Sequence, residues 1–152
     1  MSKYNLTGFG EIDTDSLNSD YEGETTLNGK TVTMDLNFDN DTIEQSKLDS
    51  VKKFITEISY YNSIATVAMN DDFKSEGSVK DYADHHSEEL GENFSDPEKA
   101  LSSLHLRRIG FYPENEDGIA VFDYTIGQDL TDYLVVVSFR EDGKVNSIDM
   151  ES

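Results

Sequence analysis

Thr25-Thr-Leu-Asn-Gly-Lys-Thr-Val-Thr-Met-Asp-Leu-Asn-Phe38 is the stretch whose reading decides the fold. Thr25 and Leu27 before Asn28-Gly29, and Val32, Met34, Leu36 and Phe38 after it, fall on one face of a period-two pattern. Thr31, Thr33, Asp35 and Asn37 fall on the other. Asn-Gly between two such runs signals a β-hairpin, because both residues accept the positive φ of a type I′ turn. A shorter strand around Tyr4 to Phe9, ended by Gly8 and Gly10, precedes it.

From Thr42 the apolar spacing becomes helical, with Leu48, Val51, Ile55 and Ile58 on one stripe and Phe54 beside it. Asp41 caps this helix in the expected arrangement, with Glu44 reaching back three residues later. A second helix, or a kinked continuation, runs through Tyr61, Ile64, Ala65, Ala68 and Phe73 to Gly77. Ser78 caps a third, with Val79, Tyr82, Ala83, His86 and Leu90 on one face and Gly91 as its left-handed stop. Asp96-Pro97-Glu98 opens a short fourth, edged by Leu101 and Leu104.

The last third returns to strands, Leu106 to Tyr112, Ile119 to Ile126, Tyr133 to Phe139 and Val145 to Met150. Their short connections are rich in turn formers, which suits an antiparallel meander. Residues 1–152 thus read as a single α+β domain. Its antiparallel sheet combines the N-terminal hairpin with the four-strand meander, and the three to four central helices pack on one face.

Composition narrows the function. There are no cysteines, so thiolate metal sites, redox pairs and cysteine nucleophiles are excluded. Thirty-two Asp and Glu against twelve Lys and Arg give a net charge of -20, a field that repels phosphate backbones and anionic membranes. Neither nucleic acid nor membrane is therefore an expected partner. Eight Phe and eight Tyr within a 36% hydrophobic content are enough for a core, so the chain is expected to fold alone. Met1-Ser-Lys-Tyr-Asn-Leu6 holds no apolar run of signal-peptide length, and no stretch approaches the roughly 20 apolar residues of a membrane span. A cytoplasmic location is expected.

Phe9-Gly-Glu-Ile-Asp13, Asp35-Leu-Asn-Phe38, Asp117-Gly-Ile-Ala-Val-Phe-Asp-Tyr-Thr-Ile-Gly127 and Thr131-Asp-Tyr-Leu-Val-Val-Val137 resemble the bacterial family catalogued as domain of unknown function 2004. The resemblance spans nearly the whole chain. It implies a bacterial, cytosolic protein of this size and assigns no activity and no catalytic residue.

Three groups of side chains are candidates for chemistry. Asp35-x-Asn37-x-Asp39 matches the opening of a calcium loop, but the sixth position is Asn40 and the twelfth Ser46, and strand alternation already places Asp35 and Asn37 toward solvent. Asp81, His85 and Glu89 lie at four-residue spacing on one side of the third helix, where carboxylates and imidazole can meet a metal; a solvated helix face explains them equally. His86 points with Val79 and Tyr82 and reads as a hydrogen-bonded histidine at the core boundary.

The third group, Asp123, Tyr124, Asp129, Asp132 and Tyr133, surrounds the second turn of the meander and is the preferred binding surface. Tyrosines offer rigid apolar area and carboxylates offer charge complementary to a basic partner. Asp129 and Asp132 can alternatively shape the loop by bonding its backbone. Asp123, in mid-strand, is expected to face water or pair with Arg107, Arg108 or Arg140.

The signatures G-x-S-x-G, G-x-x-x-x-G-K-[ST] and H-E-x-x-H are absent, as is a dinucleotide fingerprint. The favoured reading is a non-enzymatic acidic binding module for a basic protein, immunity- or inhibitor-like, with no cofactor. A metal-assisted hydrolase-type enzyme with a carboxylate/histidine site is one alternative. A structural homo-oligomer is another: the strand Ile119 to Ile126 is apolar on both faces, which suggests that it is covered twice, either by helices or by the second subunit of a homodimer.

Overall fold

The computed structural model describes residues 3–90, 97–127 and 129–151, without the side chains of residues 90 and 97. In chain order the elements are β1 (Lys3–Leu6), β2 (Gly10–Asp13), β3 (Asp20–Leu27), β4 (Lys30–Asn37), α1 (Gln45–Thr56), α2 (Ile58–Lys74), α3 (Ser78–Leu90), α4 (Pro97–Ser103), β5 (His105–Phe111), β6 (Ala120–Thr125), β7 (Leu134–Phe139) and β8 (Val145–Glu151). β1 and β2 form a two-stranded sheet, and the other strands form a six-stranded sheet in the order β3-β4-β5-β6-β7-β8. The α+β architecture read from the sequence is present. No described helix is long and apolar enough to cross a membrane.

The central hairpin forms as its sequence dictates. Leu27 pairs with Lys30 across Asn28 and Gly29, whose φ values of 53° and 78° are those the turn requires. Val32, Met34, Leu36 and Phe38 are buried on one face, while Thr31 and Thr33 are exposed on the other. β3 begins at Asp20, well before Thr25. As an edge strand it needs only half-buried side chains on its inner face, which Tyr21 and Thr25 supply on either side of Gly23.

The sheet departs from the expected all-antiparallel form at one ladder. β4 runs parallel to β5, pairing Thr33 with Arg108 and Leu36 with Phe111. The cause is the connection: the four helices return the chain to the end of the sheet from which β4 set out, as a parallel neighbour requires. All other adjacent strands are antiparallel.

The helical stripe meets the inner sheet face in an aromatic cluster. Phe54 of α1 lies 4.3 Å from Tyr61 of α2 and 5.6 Å from Phe139 of β7, which lies 4.8 Å from Phe122 of β6. These four side chains are at most 3% exposed. A helix break at Glu57 (φ -109°, ψ 35°) separates α1 from α2 and sets both onto this cluster.

Helix starts differ from expectation in a consistent way. Asp41 does not cap α1, which begins at Gln45 with Glu44 in the cap position and no side-chain cap. The segment before it is held extended instead: Leu17 N–H donates to Asp41 O at 2.8 Å and Ile43 N–H to Thr14 O at 3.1 Å. Ser78 is likewise the first helical residue of α3 and not its cap. The carboxylate of Asp72, at the end of α2, accepts from Val79 N–H at 2.8 Å. The expected stop at Gly91, and Asp96 before the fourth helix, lie outside the described residues.

The strand expected from Tyr4 to Phe9 stops at Leu6, because Gly8 (φ 85°) turns the chain into β2. The β1–β2 hairpin then docks through a close approach at Gly23. A Cβ there would run into the carbonyl of Gly8 and lie 3.0 Å from the Phe9 ring. Gly23→Ala is therefore expected to push the hairpin off the sheet at a cost of about 1–3 kcal/mol, seen as a lower urea midpoint; an unchanged midpoint would show that this approach is not tight.

Candidate functional site

With helices on one face, the opposite face of the six-stranded sheet is built from the alternate residues. The pairing register draws one row across it: Glu24, Thr33, Arg108, Asp123, Val136 and Asp149. Beside it run Glu22, Asp35, Gly110, Val121, Ser138 and Ser147. The strand Ile119 to Ile126, expected to be covered twice, is covered by helices on one face alone among the described residues. Its other face carries Val121 and Asp123, while Thr125 is fully buried.

Arg108 organises the centre of this face. Its Nε donates to Asp35 Oδ1 at 2.7 Å, and Nη2 lies 2.6 Å from the same oxygen. Asn37 Nδ2 donates to the other oxygen, Asp35 Oδ2, at 2.7 Å and also reaches Phe111 O at 3.3 Å. Both Asp35 oxygens are thus engaged, which leaves the calcium-like triplet no free carboxylate at its first position.

Asp123 is less well served. Its Oδ2 lies 3.6 Å from Arg108 Nη1, too far for a good hydrogen bond, although the residue is only 7% exposed. Burial raises its pKa from 3.8 to about 6. Arg108 opposes the shift, while Glu151 and Asp35 add to it. Tyr112 lies over Gly110, with its ring 3.1 Å from where a Cβ would stand, and adds an exposed aromatic edge. A depression of about 410 Å3 toward the β3 side is lined by Glu22, Glu24, Thr33, Asp35 and Arg108.

The five residues of the expected binding surface are not brought together. Asp123 faces the open side and, of the three arginines considered, pairs with Arg108. Tyr124, the next residue of the strand, points to the opposite face, where its buried hydroxyl donates to Asn62 Oδ1 at 2.6 Å. Asp129 and Asp132 are exposed in the loop between β6 and β7. Tyr133 is half-buried, 4.6 Å from the His85 ring and 6.0 Å from that of His86.

Hydroxyls and a histidine hold this loop. Thr125 Oγ1 accepts from Gly127 N–H at 3.0 Å, and Thr131 Oγ1 accepts from Tyr133 N–H at 3.0 Å. His86 Nδ1 lies 2.7 Å from the carbonyl of Tyr82, so it must donate there. Nε2 is then the acceptor for the Thr131 hydroxyl at 2.8 Å. Tyr82 Oη accepts from Ile126 N–H and donates to Tyr133 O, both at 3.2 Å. Burial lowers the His86 pKa, in keeping with this neutral form.

On α3, Asp81 and Glu89 are exposed while His85 is half-buried against Tyr133. Among the described residues, no group of three or more His, Asp or Glu side chains is placed to hold a metal ion. The residues that sequence reasoning missed at the open face are Glu22, Glu24 and Tyr112. Alternation along β3 carried the signal for the first two; nothing in the sequence announces that Tyr112 folds over Gly110. Compared with known proteins, the chain matches no family model, no curated protein and no solved structure.

The folded chain binds the Asp123 proton more tightly than the unfolded chain does. Stability contributed by this group is thus lost as pH rises from 3.8 to about 6. The penalty above that range is on the order of 2–3 kcal/mol. Asp123→Asn is expected to raise stability at pH 7 by about 1–2 kcal/mol, after allowing for the lost attraction to Arg108. Urea titrations should show the gain shrinking toward pH 4, and a gain independent of pH would contradict the assignment.

His86 acts with the opposite sign. Its depressed pKa contributes stability above the ordinary value of 6.5 that is lost on acidification. His86→Ala, which also leaves Thr131 without its acceptor, is expected to cost about 2 kcal/mol or more at pH 7.5 and less at pH 5.5. Paired denaturation curves in the Asp123→Asn background isolate the effect, and equal losses at the two pH values would rule it out.

Proposed function

We propose that this chain is a non-enzymatic binding module that takes a basic protein segment onto its uncovered sheet face. The observation that carries the reading is the acid lining of that face. Glu22, Glu24, Asp35, Asp149 and Glu151 lie along or beside the central row, and Arg108, held by Asp35, is the cation at its centre. Asp123 gives the surface its specificity. A lysine or arginine arriving from a partner supplies the hydrogen bonds that Arg108, at 3.6 Å, does not, and it lowers the cost of keeping this buried carboxylate ionised. Tyr112 adds apolar contact beside the charge, the combination that serves anchoring residues at protein interfaces.

The net charge of -20 acts at longer range, attracting a basic partner and speeding its encounter. An immunity- or inhibitor-like role, in which the acidic face occupies a basic toxin or enzyme, fits this chemistry.

The test is a charge reversal confined to the face. Tagged protein should capture a stoichiometric basic partner at low salt, with association slowing steeply as the Debye length contracts toward about 8 Å at physiological ionic strength. Glu22→Lys with Glu24→Lys should weaken capture at least about tenfold. Glu88→Lys with Glu89→Lys, on exposed positions of α3, changes net charge equally and should leave most of it. Equal losses in the two pairs would reduce the effect to bulk charge and sink the proposal.

A further inference from the structure

A second concavity, of about 230 Å3, lies between the β3–β4 turn, α2, α4 and the start of β5. Its chemistry is opposite to that of the open face. The ionisable side chains lining it that can carry charge near neutral pH are Lys30 and His105, and no carboxylate lines it among the described residues. This is an acid-free lining in a chain with thirty-two acids. Neither Lys30 nor His105 has an acidic partner within ion-pair distance among the described residues.

The deeper wall is apolar. Leu27, Met69 and Leu106 are buried there, and Leu101 and Leu104 are partly buried. Asn62 joins the two zones. Its Oδ1 accepts from the buried Tyr124 hydroxyl at 2.6 Å, which assigns the amide orientation and leaves Nδ2 as a donor without a partner among the described residues.

We propose that this pocket binds a small monocarboxylate with an apolar tail, its carboxylate taken by Lys30, His105 and the Asn62 amide and its tail laid against Leu27, Met69 and Leu104. The class follows from the lining. A neutral apolar ligand leaves the Lys30 cation, the His105 ring N–H and an amide donor unanswered, and a tail-less anion leaves the leucine and methionine wall in water. A polyanion such as a nucleotide is opposed by the field of the whole chain and meets too few donors. The volume is that of about eight water molecules at liquid density, which suits a short chain. Burial and the charge of Lys30 both lower the His105 pKa, so the ring beside Lys30 is neutral near pH 7 and offers an N–H donor. This inference is independent of the open sheet face, which lies on the other side of the sheet from Tyr124.

The test uses the full chain and octanoate, with acetate as the tail-less control and 1-octanol as the uncharged one. Octanoate at about a hundredfold excess over its Kd should raise Tm by roughly 5 °C. Acetate at the same concentration should give no rise, and octanol should bind about tenfold more weakly. Lys30 is exposed at a turn, so Lys30→Gln should keep the fold, checked by circular dichroism, and weaken octanoate by about tenfold in calorimetry. Lys144→Gln, on the turn before β8, removes the same charge away from the pocket and should bind like the parent. No rise with octanoate overturns the proposal. So does an equal rise with acetate, an unchanged affinity in Lys30→Gln, or an equal loss in Lys144→Gln.

Discussion

The ladder in which Thr33 to Leu36 run parallel to Arg108 to Phe111 joins the two halves of the chain. Everything on either side of it is local: β3 with β4 through a two-residue turn, β5 through β8 by short connections. This seam alone spans the helical segment, so its formation fixes where α1 to α4 must lie. Parallel neighbours need a long crossover, and an amphipathic helical crossover buries its apolar stripe on one sheet face. The aromatic cluster of Phe54, Tyr61, Phe122 and Phe139 is the packing that results.

The same seam builds the polar side of the sheet. Asp35 and Arg108 stand on adjacent strands because β4 and β5 are neighbours, and their pairing ties the two halves by charge on the face away from the core. Asp123 is then drawn in as the next residue across the row. Its carboxylate competes with Asp35 for one guanidinium and loses, so one acid is fully bonded while the other, buried with the guanidinium at 3.6 Å, has its pKa raised to about 6. The ranking comes from geometry and not from residue type, since both are aspartates facing the same way.

Much of the architecture was legible in the chain. Alternation through Val32, Met34 and Leu36, and the helical stripe of Leu48, Val51 and Ile55, give burial and element type directly, because the apolar period depends on nothing outside the element. The errors fall where tertiary partners decide. Asp41 has the residue type of a cap, but its segment is pinned to the chain leaving β2, and the cap of α3 comes from Asp72, a residue in another helix. The expected site failed for a simpler reason: Asp123 and Tyr124 are neighbours in sequence and so point to opposite faces of a strand. Arg108 was among the partners expected for Asp123, but its stronger tie to Asp35 depends on the parallel register, which no local pattern encodes.

The outermost strands of the sheet carry acids at close spacing, Asp20, Glu22 and Glu24 on β3 and Asp149 and Glu151 on β8. An added strand from another copy would bring carboxylates opposite carboxylates, a juxtaposition that disfavours pairing. The borders of the sheet, which in many β-rich proteins serve as templates for fibre growth, are here poor ones, so crowding and high expression should leave the chain dispersed.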